Sequence, residues 1–360
     1  MTAPFTTLLD NETHALRRAW HCVAHSSEVE DQPHRVMLLG EFWVLVRLDG
    51  HLRAFVDRCP HRLAPLSAGR VIDSELQCGY HGWRFDGSGA ATEIPALGPK
   101  ATLPPRACLI VAFGVEERFG LVFLAPEQPR TDLPSFEGWS NPEFITAVCE
   151  TRRTNVSASQ LIDNFMDAAH FPFVHAATFG VEGATEVGTP PIERSESSVR
   201  CSFEAPYQNH DDPLVATGDH PLVQPHSVTK VGNANYICEL ELRFPLTGGT
   251  FWILYVCQPE CNGSTRIYKL IARNDLAHDP RQIDKVAADE DLILLEDLHL
   301  LERFTHMAVD LNLSIELHTK ADRLSVAWRR LMAEVFFPAP TGNGNVTIEE
   351  SPGNLRSLPS

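Results

Sequence analysis

Two short stretches, Cys59-Pro60-His61 and Cys78-Gly79-Tyr80-His81, decide how the front part of this chain folds. Each stretch contains one cysteine and one histidine, and sixteen residues separate His61 from Cys78. Two thiolates and two imidazoles from two loops are the ligands of a [2Fe–2S] cluster in which two Cys hold one iron and two His hold the other. The pattern therefore predicts an iron–sulfur site.

The same four side chains are also a donor set for a structural zinc ion. Zinc modules usually group cysteines with cysteines and histidines with histidines, whereas each stretch here mixes the two types. The preceding segments read as strands, at Arg35–Leu39, Phe42–Leu48 and Leu52–Val56, with Asp49-Gly50 as a hairpin turn. Loops at the tips of hairpins can enclose a cluster from both sides, which favours iron–sulfur over zinc.

A second group of candidate ligands lies in Asp163-Asn164-Phe165-Met166-Asp167-Ala168-Ala169-His170-Phe171-Pro172-Phe173-Val174-His175. Two histidines and one carboxylate with open positions form the facial triad of non-haem Fe(II) oxygenases. On an unbroken helix, residues five apart point ~140° apart, too far to share one metal comfortably. We expect a helix over Asn155–His170 that Pro172 breaks or kinks, so that His175 can turn towards His170.

On these two motifs the chain resembles the catalytic (alpha) subunits of Rieske non-haem iron oxygenases, over nearly its full length. The resemblance implies one [2Fe–2S] cluster per subunit, held by Cys59, His61, Cys78 and His81. Similar enzymes usually have Pro before the aromatic residue of the second loop, where this chain has Gly79. We expect that difference to loosen the loop without removing a ligand.

The resemblance also implies one mononuclear Fe(II) per subunit, because the family's Asp-x-x-His-x₄-His pattern matches Asp167, His170 and His175. The third iron ligand of similar enzymes lies in a Glu-Asp-x₄-Glu pattern, matched here within the predicted helix Ile283–Phe304. This match selects Asp291, although Asp289 and Glu290 are nearby alternatives. Asp297 lies a turn and a half further along and is expected to face solvent.

Asp167 comes one turn before His170 and can orient its ring by accepting the second ring N–H. In similar enzymes this Asp also bonds a Rieske histidine of the neighbouring subunit, which here would be His81. We therefore assign Asp167 a catalytic role in electron transfer. Asn164, one turn earlier, is a further candidate at the open face of the iron, with support of the helix start as the alternative.

Composition narrows the class of protein. The chain has 360 residues, 30 basic and 47 acidic, and a net charge of −17, which argues against a nucleic-acid or anionic-membrane partner. Neither an eighteen-residue apolar run nor a signal peptide is evident, so a cytoplasmic location is expected. Nine cysteines, an odd number scattered singly outside the two stretches, suit free thiols in a reducing compartment.

The fold class expected is α+β: an all-β Rieske domain followed by a catalytic domain with an antiparallel sheet covered by helices (helix-grip, START-like). We place the domains at residues 1–126 and 127–336, and a disordered tail at 337–360. Strand patterns at Asn235–Phe244, Thr250–Glu260 and Ser264–Arg273 supply the sheet. Residues 176–232 read as loops with short strands. Their three histidines are expected at the surface, with a place in the pocket as the alternative: His210, His220 and His226.

The length resembles that of single-subunit homotrimeric members that hydroxylate C–H bonds or remove N- and O-methyl groups. The stretches Leu16–Trp20 and Glu116–Leu121 resemble the N-demethylases in particular. The expected reactants are O₂ and a small aromatic or heterocyclic substrate, with NAD(P)H-derived electrons from a separate ferredoxin or reductase. Ring hydroxylation or dioxygenation is the alternative reaction, and an electron carrier without catalysis is the alternative class. The Asp167–His175 motif disfavours a carrier, which needs no second metal.

Overall fold

The computed structural model describes residues 8–276 and 281–338. Its N-terminal half is built from short strands: β1 Leu8–Leu9, β2 His21–His25, β3 His34–Leu38, β4 Glu41–Leu48, β5 His51–Val56, β6 Arg70–Ile72, β7 Glu75–Gln77, β8 Arg84–Phe85, β9 Ala91–Glu93, β10 Gly114–Arg118 and β11 Leu121–Ala125. Ten of these strands form three antiparallel sheets, ordered β10-β11-β2, β3-β4-β5 and β6-β7-β8-β9.

The two cysteine loops follow β5 and β7, as the hairpin pattern predicts. Both loops are fixed to one apolar cluster, in which the two cysteines pack against residues of β4, β5, β7 and β8: Val44, Val46, Leu48, Phe55, Leu76 and Phe85. The loop tips are therefore held by a common core rather than by each other alone.

The C-terminal half contains a larger sheet and most of the helices. Its elements are α1 Glu137–Ser140, β12 Ile145–Val148, β13 Arg152–Thr154, α2 Ala158–Met166, α3 Phe171–Val174, β14 Ile192–Arg194, β15 Ser198–Gln208, α4 Pro213–Thr217, β16 Val223–Asn233, β17 Ile237–Phe244, β18 Gly249–Cys261, β19 Ser264–Arg273, α5 Gln282–Leu301, β20 Val309–Asp310 and α6 Arg323–Phe336. The sheet order is β12-β19-β18-β17-β16-β15-β14, with β13 also on β19 and all pairs antiparallel. β20 pairs instead with β1.

Two long strands, β15 and β16, occupy the region that the sequence predicted to be loops with short strands, so that prediction is wrong in extent. The prolines in this region made the sequence look unlike a strand, because Pro is disfavoured inside a sheet. Pro206 and Pro225 face each other in the register, beyond the residues that pair with β14 and β17. Among the described residues, no third strand pairs with them at this point, so their missing N–H groups cost no further ladder bond there.

Helix α5 has a buried face that contains two acidic residues as well as apolar ones. Its buried face follows a helical repeat and includes two carboxylates: Ile283, Val286, Glu290, Leu294, Asp297, Leu298 and Leu301. Glu290 and Asp297 are seven residues apart, which brings them to nearly the same face two turns apart. The sheet with its covering helices, behind an all-β N-terminal half, confirms the predicted α+β class.

All nine cysteines lie in the described residues, are free and are mostly buried, as predicted. The described helices include none with the length and apolar character needed to cross a bilayer. Of the predicted tail, residues 339–360 lie outside the described part of the chain, so their disorder stays a prediction.

Candidate metal centres

Cys59 and Cys78 begin two loops with matching backbone hydrogen bonds. Each cysteine N–H donates to the carbonyl five residues on, Ala64 O at 2.9 Å or Trp83 O at 2.8 Å. Each cysteine carbonyl in turn accepts the N–H four residues on, from Leu63 or Gly82, both of which have a positive φ. Two tight loops of the same kind therefore present the two thiols.

The four side chains of these loops are arranged with sulfur inside and nitrogen outside. Cys59 and Cys78 are buried, and burial raises the pKa of the Cys59 thiol to about 11, with the adjacent Cys78 adding to the rise. The exposed rings of His61 and His81 have centroids 4.5 Å apart, and Trp83 stacks on His61 at 4.7 Å. Neighbouring buried thiols with imidazoles at the rim fit a [2Fe–2S] cluster bound from both loops.

Gly79 does not loosen its loop, contrary to the sequence-based expectation. A Cβ built at this position would lie 2.6 Å from the carbonyl oxygen of Ala68 in the first loop's flank. The two loops thus approach so closely at this point that glycine is required.

The second motif lies where α2 ends. Ser157 caps the helix by accepting the Gln160 N–H at 3.2 Å, and the helix stops at Met166 because Asp167 has extended backbone angles. The single turn α3, with Pro172 near its start, follows with His170 and His175 at its two ends. Helix α2 therefore begins three residues after the predicted Asn155 and ends four residues before the predicted His170. The two imidazoles beyond its end have centroids 5.1 Å apart.

The third residue at this site is Asp297. Its Oδ1 lies 3.3 Å from His175 Nε2 and 3.6 Å from His170 Nε2, and one donor atom from each residue fits within 4.8 Å of the others. Asp297 Oδ1 is buried and has no hydrogen-bond partner in the described part of the chain. Two imidazoles and one carboxylate with an orphaned oxygen are a fitting ligand set for Fe(II).

The prediction that Asp291 is the third ligand is wrong. Six residues before Asp297 on α5, it points ~120° away around the helix axis. Its Oδ2 accepts the Glu150 N–H at 3.3 Å instead. The expectation that Asp297 is solvated is also wrong, because only 6% of it is exposed. The buried repeat of α5, in which Asp297 follows Glu290 and Leu294, was the sequence signal that could have identified it.

Two further carboxylates fix the orientation of the imidazoles. Asp167 Oδ2 lies 2.8 Å from His170 Nδ1, the contact that the spacing predicts, and Glu296 Oε2 lies 2.8 Å from His175 Nδ1. Carboxylates accept, so each Nδ1 carries the proton and each Nε2 lone pair faces Asp297. Thr178 donates to the same Glu296 oxygen at 2.9 Å. Sequence reasoning did not assign this role to Glu296.

The pKa values at this site reflect burial opposed by pairing. Burial favours protonated Asp167, but the hydrogen bond from His170, together with the Ala169 N–H and the nearby charge of Lys230, holds the pKa of this carboxyl at about 2. The pKa of Asp297 is likewise lowered against burial by His175, with the Asn164 amide contributing. Both carboxylates are therefore ionised at neutral pH, and Asn164 lies beside the ligand set as predicted.

Lys230 of β16 stabilises the end of α2. Its ammonium is buried and donates to Phe165 O and Asp167 O, both at 2.6 Å. These carbonyls belong to the last helical turn and its cap, where acceptors are left without helical donors and a cation is favoured. Burial lowers the pKa of Lys230 to about 8. Nothing in the local sequence pattern marked this lysine, because its partners are more than sixty residues away.

A cavity lies between the sheet, α5 and the turn of α3. Its walls are mainly apolar and aromatic, and they include the three clustered groups: Phe165, His170, Phe171, His175, Phe179, Tyr207, His226, Val228, Leu240, Leu242, Ile253, Ile293, Leu294 and Asp297. The prediction that His226 is a surface residue is wrong, since only 3% of it is exposed.

Comparison with known proteins matches both halves of the chain. Residues 19–108 match the Rieske [2Fe–2S] domain, and residues 154–336 match the vanillate O-demethylase oxygenase C-terminal domain. The chain is a member of the Rieske oxygenases. The second match covers half of the sequence, and it contains both imidazoles and Asp297.

Relatives match over nearly the full length. The chain is 30% identical to methylxanthine N3-demethylase NdmB of Pseudomonas putida, with 93% of each chain covered, and 27% identical to methylxanthine N1-demethylase NdmA of the same organism, with 91% of each covered. The structure of NdmA with caffeine aligns with a TM-score of 0.77 at 24% identity, over 91% of this chain and 97% of that one. The structure of dicamba monooxygenase bound to dicamba aligns with a TM-score of 0.72 at 21% identity, over 89% of this chain and 97% of that one.

We predict that Gly79→Ala lowers the amount of cluster bound by the protein. The added Cβ would push the second loop away from Ala68 and separate the two ligand pairs. Visible absorbance and acid-labile sulfide per chain, measured on purified protein, should fall together.

Gly188→Ala is the matched control, because the nearest atom to its Cβ is 4.0 Å away. Normal cluster content in Gly79→Ala would show that the close approach of the loops does not matter for cluster binding.

Proposed function

We propose that this Rieske oxygenase binds a mononuclear Fe(II) at His170, His175 and Asp297, next to a cavity for a small aromatic or heterocyclic substrate. The observation that carries the proposal is the orphaned Asp297 Oδ1 facing two Nε2 lone pairs in a buried site. Three acceptor atoms so arranged repel one another unless a cation lies between them. The donor types and the open side towards the cavity suit Fe(II).

Iron bound there would activate O₂ with electrons supplied from the [2Fe–2S] cluster, whose ligands we assign to Cys59, His61, Cys78 and His81. The protein's own contribution is orientation and exclusion of water. Asp167 and Glu296 hold the two imidazole rings so that each Nε2 atom faces Asp297, and Asn164 lies beside Asp297. The apolar walls keep the reacting carbon of the substrate in a dry cavity next to these ligands.

Electron delivery is proposed to run between protomers of a homotrimer, from His81 of one subunit to Asp167 of the next. Both groups are accessible in the single chain: His81 is exposed, and 26% of the Asp167 side chain is exposed. Asp167 already contacts His170, so a bond to the neighbouring subunit's histidine would connect the two metal sites through one carboxylate. A separate ferredoxin or NAD(P)H reductase would reduce the cluster.

The reaction favoured is oxidative removal of an N- or O-methyl group. Hydroxylation of such a methyl gives a hemiaminal or hemiacetal, which breaks its C–N or C–O bond to release formaldehyde. Full-length similarity to NdmA and NdmB, whose names describe N-demethylation, supports this choice. Hydroxylation at a ring or side-chain carbon is the second candidate, since the cavity does not itself distinguish a methyl carbon from another C–H.

The assay for this function is a panel of N-methyl, O-methyl and unsubstituted aromatic compounds with a surrogate reductase, NADH and O₂. Formaldehyde released in step with demethylated product would support demethylation. Oxygenated product without formaldehyde would favour hydroxylation, and O₂ uptake without any product from the whole panel would contradict the proposed substrate class.

We predict that Asp297→Asn removes the mononuclear iron and leaves the cluster intact, because an amide is a far weaker ligand than a carboxylate. Iron analysis should fall from about three to about two atoms per chain, with unchanged cluster absorbance. Asp291→Asn is the matched control on the same helix and should retain all the iron. The reverse result would restore Asp291 as the ligand.

We predict that Asp167→Asn slows electron transfer without loss of either metal. The neutral amide can still orient His170 but bonds a partner histidine more weakly. Reoxidation of the pre-reduced cluster in a single turnover with bound substrate should slow at least tenfold. Glu296→Gln makes the same change at the carboxylate that orients His175, and it should retain both metals and an unchanged reoxidation rate. Equal reoxidation rates in all three proteins would reject the bridge.

A further inference from the structure

The polar groups lining the cavity are nearly all engaged by the protein itself. Lys230 donates to the two carbonyls at the end of α2. Lys269 lies on β19, three strands from β16, and donates to the backbone carbonyl of Glu290 and to its carboxylate, the latter at 3.2 Å. Asn164 lies against Asp297. A ligand therefore finds few open hydrogen-bonding groups in this cavity, and those few carry its polar recognition.

His226 is one of the open groups. Its Nδ1 lies 2.7 Å from the carbonyl oxygen of Ala205, directly opposite on β15. A carbonyl only accepts, so Nδ1 carries the hydrogen. Burial lowers the pKa of His226 to about 4, so the ring is neutral and Nε2 is an imine nitrogen with a lone pair.

The lone pair of His226 Nε2 is free to accept. Within the described residues, Nε2 has no hydrogen-bond partner. It is also not one of the fully buried atoms that lack a partner, so its surface is open to a small molecule. Since only 3% of His226 is exposed and its ring lines the cavity, the opening at Nε2 is the cavity itself. A buried acceptor left unpaired is costly, and a bound ligand can supply its donor.

The ring of His226 is held in place at the end of the cavity away from the metal ligands. Tyr207 and Phe244 contact it at centroid distances of 4.9 and 6.1 Å. A series of ring contacts leads back to the metal site, from Tyr207 to Phe179 at 5.6 Å and from Phe179 to His175 at 4.8 Å. His226 and Lys230 are four residues apart on β16, ~13 Å along the strand.

We propose that His226 is a specificity-determining residue, whose Nε2 accepts a hydrogen bond from an N–H or O–H group of the substrate at the edge remote from the reacting carbon. The inference deepens the proposed function and rests on it. The substrate class it names is a planar aromatic or heteroaromatic molecule with a methyl group near the iron ligands and a ring N–H, amine or phenol at the far side.

The proposal also says what the cavity rejects. An analogue whose donor is replaced by a methyl group leaves Nε2 unpaired and brings a carbon against it. Sites built around a hydrogen bond discriminate strongly against ligands that lack the matching group. We expect at least about tenfold weaker binding of the methylated analogue.

The first test is independent of any substrate. Nitrogen NMR of histidine-labelled protein, with zinc in the mononuclear site and the cluster oxidised, reports the tautomer of each imidazole. The His226 signals are identified by their absence in His226→Gln. They should show a protonated Nδ1 and an imine Nε2 at neutral pH; a protonated Nε2 would overturn the proposal.

The second test uses paired probes that differ by one donor. Theobromine has a ring N–H where caffeine has a methyl, and 4-methoxyphenol has a phenol, opposite its methoxy group, where 1,4-dimethoxybenzene has a methyl ether. Dissociation constants from calorimetry, with kcat/KM from formaldehyde release, should favour the donor-bearing member of a pair about tenfold in the unmodified enzyme. His226→Phe keeps an aromatic ring without the acceptor and should reduce this preference to within about twofold.

Two control variants distinguish hydrogen-bond acceptance by His226 from the packing of its ring against the ligand. His226→Gln retains an acceptor oxygen and should restore most of the preference, whereas Tyr207→Phe removes only the neighbouring hydroxyl and should leave the preference intact. A preference that survives His226→Phe, or that vanishes in Tyr207→Phe, would overturn the proposal. Probes that bind without any preference would reject His226 as the determinant, whereas probes that neither bind nor react would reject the proposed substrate class itself.

Discussion

The metal site depends on how helix α2 ends. Its last carbonyls bind the buried ammonium of Lys230, which compensates acceptors that a continuing helix would have satisfied. The chain is then free to turn at Asp167, and the single turn α3 carries His170 and His175 at its two ends. Without this interruption the two imidazoles would point in different directions around one helix axis. A cation on a neighbouring strand thus makes the ligand geometry possible.

Four carboxylates near this turn have different roles because their surroundings differ. Asp297 faces the Nε2 atoms of the two imidazoles, whereas Asp167 and Glu296 accept hydrogen bonds from the two Nδ1 atoms. Glu290 lies two turns from Asp297 on the same face of α5, and its carboxylate pairs with the ammonium of Lys269. Among these four carboxylates, Asp297 has the buried oxygen, Oδ1, that lacks a partner in the described residues. These acidic residues therefore form one proposed metal-binding position and hold the groups around it.

The large sheet contributes more than a support for helices. Strands β15 and β16 extend it beneath the cavity, and their register brings Ala205 opposite His226. That pairing fixes the tautomer of a buried imidazole and so gives one wall of an otherwise apolar cavity a definite polarity. The same strand supports the proposed metal site through Lys230 and lines the cavity through His226, so one rigid element positions both ends of the proposed substrate site.

The sequence alone determined the features whose residues are close together in the chain. The Cys59–His61 and Cys78–His81 loops, the Asp167–His175 motif and the α+β class could be predicted, because each is a local pattern of ligands, turns and periodicity. The third carboxylate, the role of Lys230 and the burial of His226 could not. The Glu-Asp-x₄-Glu pattern favoured Asp291, and only the rotation of α5 against the sheet decides that the carboxylate of Asp297 reaches the imidazoles. That rotation is set by packing against the nearby strands β18 and β19 and against distant residues such as Cys149 and Val228, which the helical repeat of α5 records only in part.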